Sequence, residues 1–357
     1  MAKTRFLALD VMRGLTLALM VLVNTPGSWN AVYAPLLHAD WHGATPTDYV
    51  FPFFLFIVGA ALFFSSRRPV PMATQWIKIV RRSALIFIIG VLLNAFPFTA
   101  PLDELRVFGV LQRIALAYLF AAPIALFLKG PARWVLMVAI LFGYWALLQL
   151  GSDPYGLTGS LVRAVDLWLV GPDHLWQGKG VAFDPEGFLS TLPAIVSVLL
   201  GFEATRILCT VEPRRKALAI LAVSGVLLIL AGLLWHPFFP VNKYLWTSSF
   251  VLLTGGAAIV CLLVLVWLEP VTLLRPMYRA FQILGQNPLF IYVLSIVWAH
   301  VLYLIPVGDQ SAYQWTFELF DQVLSPKIAS LLFALLNVAI MWAVAWYLHR
   351  KRIIISI

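Results

Sequence analysis

In the stretch LLHADWHGATPTDYVFPFFLFIVG, residues 36–59, His38, Asp40, His42 and Asp48 stand directly in front of a long apolar run. An imidazole close to a carboxylate can take up a proton and be stabilised as it does so, which is the working part of general base and nucleophilic catalysis. His38 lies in a short connection, NTPGSWNAVYAPLLHADWHG, whose apolar and aromatic residues (Trp29, Val32, Tyr33, Leu36, Leu37, Trp41) should fold back onto the protein rather than stand in water. A histidine held there loses part of its hydration, and the uncharged imidazole is the form that a base or nucleophile uses. The plainer reading is a surface histidine in a polar loop. Asp48 falls in the first turn of the following helix, where Thr45, Thr47 or Asp48 can cap the chain and a carboxylate suits the helix dipole. It can equally orient a histidine ring, and the two roles are compatible. Asn24 ends the preceding apolar run in MVLVNTPGS, where an asparagine before Pro-Gly usually closes a helix. His38, Asp40 and His42 are spaced i, i+2, i+4 without an HExxH helix or paired cysteines, so no metal site is expected.

Other polar residues inside apolar sequence also need an account. Asp10 and Arg13, three apart, share a helix face and can pair. In LRVFGVLQRIALAY, Arg106 and Arg113 are seven apart and are expected on one face of a span, with Arg113 about 10 Å further in at 1.5 Å per residue. An arginine that deep needs an anion, either a protein carboxylate or a ligand. Gly285-Gln286-Asn287-Pro288 predicts a broken helix, tolerated in a membrane where it faces protein or a polar cavity. Asn242 and Lys243 stand at a helix entrance in HPFFPVNKYLWTSS, where a snorkelling lysine is the simple reading.

These residues must be positioned by elements surrounded by lipid. The 357-residue chain is 62% apolar and only 11% charged, with a mean hydropathy of +0.91. Soluble domains carry about a quarter charged residues. The fold class expected is all-α, a polytopic membrane bundle of about ten spans, near 7–24, 47–65, 82–98, 107–128, 134–150, 188–207, 217–235, 246–268, 281–304 and 328–348. Asp10 and Arg13 interrupt the first run, which is therefore read as a retained span rather than a signal peptide. Of the 25 Lys and Arg, all but Arg106, Arg113, Arg163, Lys179, Lys243 and Lys327 fall on the side of the termini. By the positive-inside rule both termini are cytoplasmic and the His38 connection faces the other side. The net charge of +9 is thereby accounted for by topology, and no nucleic-acid partner is expected. Cys209 and Cys261 make no disulfide framework. One domain spanning 1–357 is expected, with an ordered cover at about 151–187 on the outer face.

The stretches LDVMRGLTLALMVLVN, HADWHGATPTDYVFPFFLFIVG, RVFGVLQRIALAY, FDPEGFLSTLPAI, VNKYLWTSSF and LGQNPLFIY together resemble the transmembrane N-acetyltransferases typified by heparan-α-glucosaminide N-acetyltransferase. The first motif is the least specific, and the histidine followed by W-x-G and D-x-V-F-P-x-F the most. The resemblance implies that His38 is the catalytic residue, with Asn24 and Asp48 in the same site. It implies that acetyl-CoA from the cytoplasm acetylates the amine of a glucosamine-type sugar across the bilayer, and it suggests a homodimer. Trp41, Arg106, Arg113, Asn242, Lys243 and Asn287 are the candidates for binding sugar or acetyl-CoA. His42 stands where the family motif has asparagine, and TPGSWN where it is glycine-rich. The lysosomal members also carry a further lumenal region, so a bacterial inner-membrane relative is expected, with an acceptor that can differ. The competing readings are an amino-sugar transporter, for which no inverted repeat is visible, and an acyltransferase that modifies another envelope glycan.

Overall fold

An apolar segment in lipid must satisfy its own backbone, and long runs of Leu, Val, Ile, Ala and Phe do so as helices. The computed structural model describes residues 6–67, 71–99 and 101–355; Lys3, Arg5 and Arg68, used above to orient the chain, lie outside them. The helices are α1 (Leu7–Asn24), α2 (Val50–Ser66), α3 (Met72–Ala95), α4 (Val110–Phe127), α5 (Gly130–Leu148), α6 (Leu161–Val170), α7 (Thr191–Thr210), α8 (Arg214–Trp235), α9 (Ser248–Leu268), α10 (Arg275–Leu284), α11 (Pro288–Leu304), α12 (Ala312–Asp321) and α13 (Pro326–Arg350). Among the described residues the only sheet is a two-stranded antiparallel hairpin, Pro306–Val307 with Gln310–Ser311. The all-α reading holds.

Among the described residues eight helices are long and apolar enough to cross a membrane: α1, α2 with its leading turn, α4, α5, α7, α8, α9 and α13. The segment Thr272–Leu284 and α11 are bent by 77° at the expected break and make a ninth span if counted as one. The remaining expected span, 82–98, overlaps α3, which starts earlier, carries Lys78, Arg81 and Arg82 in its first half and is not one of these eight. The chain is a multi-pass helical membrane protein.

The contacts group into two compact units. One comprises the chain up to Ala39, Thr45–Phe54 and the chain from Val264; the other comprises Asp40–Ala44 and Leu55–Leu263.

In the first unit α1 packs against α10, α11 and α13. A Cβ at Gly14 would lie 1.8 Å from the Phe281 carbonyl oxygen, and one at Gly285 would lie 2.5 Å from that of Asp10. Two helix backbones meet that closely only where both residues are small. Arg13 pairs with Asp10 at 3.3 Å as expected and also donates to the Gly285 carbonyl at 3.3 Å. Tyr313 of α12 donates to the Pro26 carbonyl at 2.6 Å, and Ser28 N–H to Ser330 Oγ at 3.1 Å, so the turn after α1 is tied to α12 and α13.

The second unit is built on α7, which is buried along most of its length and packs on α4, α5 and α8. Gly59 and Gly201 make the same kind of close crossing, a Cβ at either meeting a carbonyl oxygen of the other helix at 1.8 Å. Glu203, 1% exposed, receives Arg133 of α5 at 2.6 Å and Arg206 at 2.8 Å. The expected cover at 151–187 contains α6 and a set of turns, and packs Phe183 into a core with Tyr144, Leu148, Phe239 and Leu245.

Candidate active site

Two short turns bring His38 to Asp48 within the first unit. Ala34–Leu36 forms one turn of 3₁₀ helix, Leu37 is extended, and Pro46–Tyr49 forms a second turn that runs into α2. Thr47 Oγ1 donates to the Pro35 carbonyl at 3.1 Å and Thr45 Oγ1 to that of Leu37 at 2.6 Å, which fastens one turn to the other. His38 Nδ1 then lies 2.6 Å from Asp48 Oδ1. The other carboxylate oxygen accepts the backbone N–H of Ala39 at 3.0 Å and of Thr45 at 2.9 Å, with Thr45 Oγ1 at 3.1 Å. Asp48 thus caps its own helix and holds the ring at once. Its side chain is wholly buried while that of His38 is 39% exposed, so the carboxylate is shielded and the imidazole is reachable. With Nδ1 on Asp48, Nε2 is the ring nitrogen that proton or acyl transfer would use.

Asn24 closes α1 with an exposed side chain. Among the described residues no hydrogen bond links it to the His38–Asp48 pair. His38, Asp40 and His42 each have a different partner: Asp48 for His38, Lys179 Nζ at 2.8 Å for Asp40, and Asn242 Nδ2 at 3.3 Å for His42. The hydrogen bond from Lys179 holds the Asp40 carboxyl below the usual range. Partial burial, and after it the charge of His236, holds the His42 imidazole below its usual value.

The remaining candidates in the second unit are engaged with protein groups. Trp41 stacks on Tyr244 at 5.2 Å, meets Phe183 edge-on at 5.5 Å and donates its indole N–H to the Tyr155 carbonyl at 2.8 Å. Asn242 is fully buried and accepts the Leu245 N–H at 2.8 Å, shaping the turn before α9. Lys243 is partly buried in that turn.

Arg106 does not share a helix face with Arg113, as the spacing had predicted. α4 starts only at Val110, because Asn94 Nδ2 donates to the carbonyls of Arg106 at 3.0 Å and Phe108 at 2.8 Å and holds that stretch extended. Arg106 binds Asp184 through two nitrogens at 2.8 Å each and Glu186 at 2.8 Å. Burial works against its charge, but Asp184 and then Glu186 outweigh it and raise its pKa above the usual arginine value. Arg113, fully buried, donates to the Gly187 carbonyl at 3.1 Å and to Ser190 Oγ, and its guanidinium lies 4.9 Å from the Trp246 ring centre. For Arg106 the anion is supplied by Asp184 and Glu186 of FDPEGFLS, the segment from Phe183 to Ser190; Arg113 takes only a carbonyl and a hydroxyl from that segment, and its buried Nε and Nη1 have no hydrogen-bond partner among the described residues. Asp184 and Glu186 went unassigned because their partner lies about eighty residues away and no local pattern names it. Beside them, burial pushes the Asp166 carboxyl up to about 7, against the hydrogen bond it accepts from the Phe188 N–H.

Asn287, back in the first unit, is 1% exposed. Its amide donates to the Ile353 carbonyl at 3.1 Å and accepts the Ile355 N–H at 2.7 Å. It anchors the chain after α13.

A multi-pass helical protein with an imidazole held on a buried carboxylate at the start of a span has the parts of a membrane-embedded transferase. Residues 5–233 match the family model described as heparan-alpha-glucosaminide N-acetyltransferase, catalytic, and the chain belongs to that family. It is 30% identical over 355 aligned residues to the heparan-alpha-glucosaminide N-acetyltransferase of Homo sapiens, covering 81% of this chain and 52% of that protein. The Mus musculus protein of the same name is also 30% identical, with 53% of its length covered. The chain spans about half the length of these curated relatives.

Proposed function

We propose that this protein is a transmembrane acetyltransferase that moves the acetyl group of cytoplasmic acetyl-CoA to the amine of a glucosamine-type sugar on the periplasmic face of a bacterial inner membrane. The observation that supports this most is the 2.6 Å contact between His38 Nδ1 and the buried Asp48 carboxylate, in a family whose printed description is that of an N-acetyltransferase catalytic region. In the direct version the sugar nitrogen attacks the thioester carbonyl, His38 Nε2 takes the proton released from that nitrogen, and the C–S bond breaks to release CoA as thiolate or thiol. The developing imidazolium is stabilised by Asp48. Asn24, exposed at the end of α1, supplies an amide for the oxyanion or the sugar. In the covalent version Nε2 itself attacks the thioester, CoA leaves, and the amine then takes the acetyl group from the ring.

The test is CoA release by protein in proteoliposomes. It should depend on the amine and disappear in His38→Ala, with the acetylated sugar identified by mass spectrometry across a panel of acyl-CoA donors. Sugar accumulation without any acyl-CoA would replace this reading with transport, and preference for another acyl group would move it to a different acyltransferase. Rapid quenching with labelled acetyl-CoA and no sugar leaves label on His38 only in the covalent version.

A further inference from the structure

A second centre in the first unit is not used by the acid–base pair. On α10, Arg275 and Arg279 are four apart and share a face. On α13, Trp342, Trp346 and Arg350 repeat the same spacing along one stripe. Trp342 donates its indole N–H to the Ala280 carbonyl at 3.2 Å, which fastens this stripe to α10. Past Arg350 the chain turns back through Arg352, whose φ is 57°, and Asn287 holds the returning segment at Ile353 and Ile355. These elements line an open cleft of about 880 Å³ bounded by Arg275, Arg279, Trp342, Trp346, Arg350 and Arg352, a volume within the range of ligand sites.

Four guanidinium groups converge there, and the lining includes no carboxylate. Among the described residues none of the four forms an ion pair, and all four are exposed. Like charges gathered in this way repel unless an anion joins them. The geometry points to a phosphate site that takes the nucleotide end of the acyl-CoA donor, with the phosphates on Arg275, Arg279, Arg350 and Arg352; the Arg350 guanidinium already lies 4.9 Å from the Trp346 ring centre, and Trp342 stacks with the same indole. Guanidinium forks match phosphate oxygens in pairs. A phosphate monoester such as the 3′-phosphate of CoA carries about −1.5 to −2 near pH 7, and the diphosphate adds to it. α1 crosses α10 in its first half, at Gly14, and its other end leads into the His38 connection. The 18 residues of α1 cover roughly 27 Å at 1.5 Å per residue. The nucleotide is thus held at the basic end of α1, away from the transfer chemistry. Asn287 is here a positioning residue for the turn that carries Arg352.

This assignment rests on the acetyl-CoA donor proposed above. The test titrates full-length protein in phosphatidylcholine nanodiscs with coenzyme A and with 3′-dephospho-CoA. Arg279→Gln and Arg350→Gln are each expected to weaken CoA binding about tenfold, the loss of one charge-assisted contact. They should raise the KM for acetyl-CoA by a similar factor, with kcat and the amine KM nearly unchanged, and Arg350→Lys should recover part of the loss. His38→Ala should abolish transfer and leave CoA binding intact. Equal CoA affinity in wild type and both glutamine variants overturns the proposal. So does unchanged CoA affinity together with loss of co-purifying phosphatidylglycerol, which would make this a lipid headgroup site. Arginine-dependent CoA binding without transfer to any amine keeps the site and removes the acetyltransferase reading instead.

Discussion

Asp48 caps a helix with one oxygen and holds an imidazole with the other, so substitutions there should separate stability from chemistry. Asp48→Asn keeps an oxygen for the Thr45 N–H but no charge to offset an imidazolium. It is expected to lower kcat by about 10²–10⁴-fold while leaving CoA binding and the thermal midpoint close to wild type. Thr45→Ala should do the reverse, costing about 0.5–2 kcal/mol of stability as a lost cap does with a smaller change in turnover. Steady-state kinetics beside a melting curve distinguishes the two. Asp166 gives a pH prediction. Its folded-state carboxyl is raised by burial to about 7, above an ordinary carboxylate, so between about pH 4 and 7 the folded protein binds the extra proton. Its neutral form is therefore favoured by folding, and stability falls as pH rises through that window, by at most about 1.4 kcal/mol per pH unit. Asp166→Asn should flatten that slope and raise the midpoint at pH 8; a slope unchanged in the variant would assign the effect to other groups.

At the scale of elements, the close crossings should be the least forgiving positions. Gly14→Val would drive a side chain into the Phe281 carbonyl and must push α1 from α10, so a large fall in thermal midpoint is expected, compared with little change at Gly143, where a Cβ meets nothing within 4 Å. Glu203→Gln leaves Arg133, itself 7% exposed, facing a neutral amide, and breaking a buried pair costs about 3–5 kcal/mol. What was legible in the sequence follows the same division between local and distant causes. Apolar runs declare spans because lipid imposes their length, and Gly-Gln-Asn-Pro declares a break because proline cannot continue the preceding helix. The start of α3 is hidden by Lys78, Arg81 and Arg82, which lower the local hydropathy without ending the helix. Arg106 reads as helical because nothing near it reveals that Asn94 holds its carbonyl. His38 with Asp48 could be found because the chain needs only ten residues to bring them together, whereas Arg106 with Asp184 spans 78. Asn287 stands out in the sequence because it precedes the proline at the break, but its bonds to Ile353 and Ile355 depend on a tail that passes beside it only in the folded chain.

For the molecule as a whole the open physical question is direction. Basic residues gather on one side of the expected spans and the His38 connection on the other, which predicts that donor and acceptor approach from opposite faces. Sidedness can be read with a membrane-impermeant maleimide in a Cys209→Ser, Cys261→Ser background. Trp29→Cys, exposed in the turn after α1, should react in intact spheroplasts, while Leu273→Cys, exposed just before α10, should react only after lysis. The chemical counterpart uses inside-out vesicles loaded with amino sugar. Acetyl-CoA added to the medium should yield acetylated sugar inside the vesicle and free CoA outside, with no loss of sugar from the lumen when acetyl-CoA is withheld. Right-side-out vesicles given the same donor should stay silent until they are opened. If both orientations turn over equally, the transfer is not directed across the bilayer. The separation of a basic, nucleotide-sized cleft from the imidazole by the length of α1 would then have no use in catalysis, since a donor and an acceptor arriving from one face need no such distance between them.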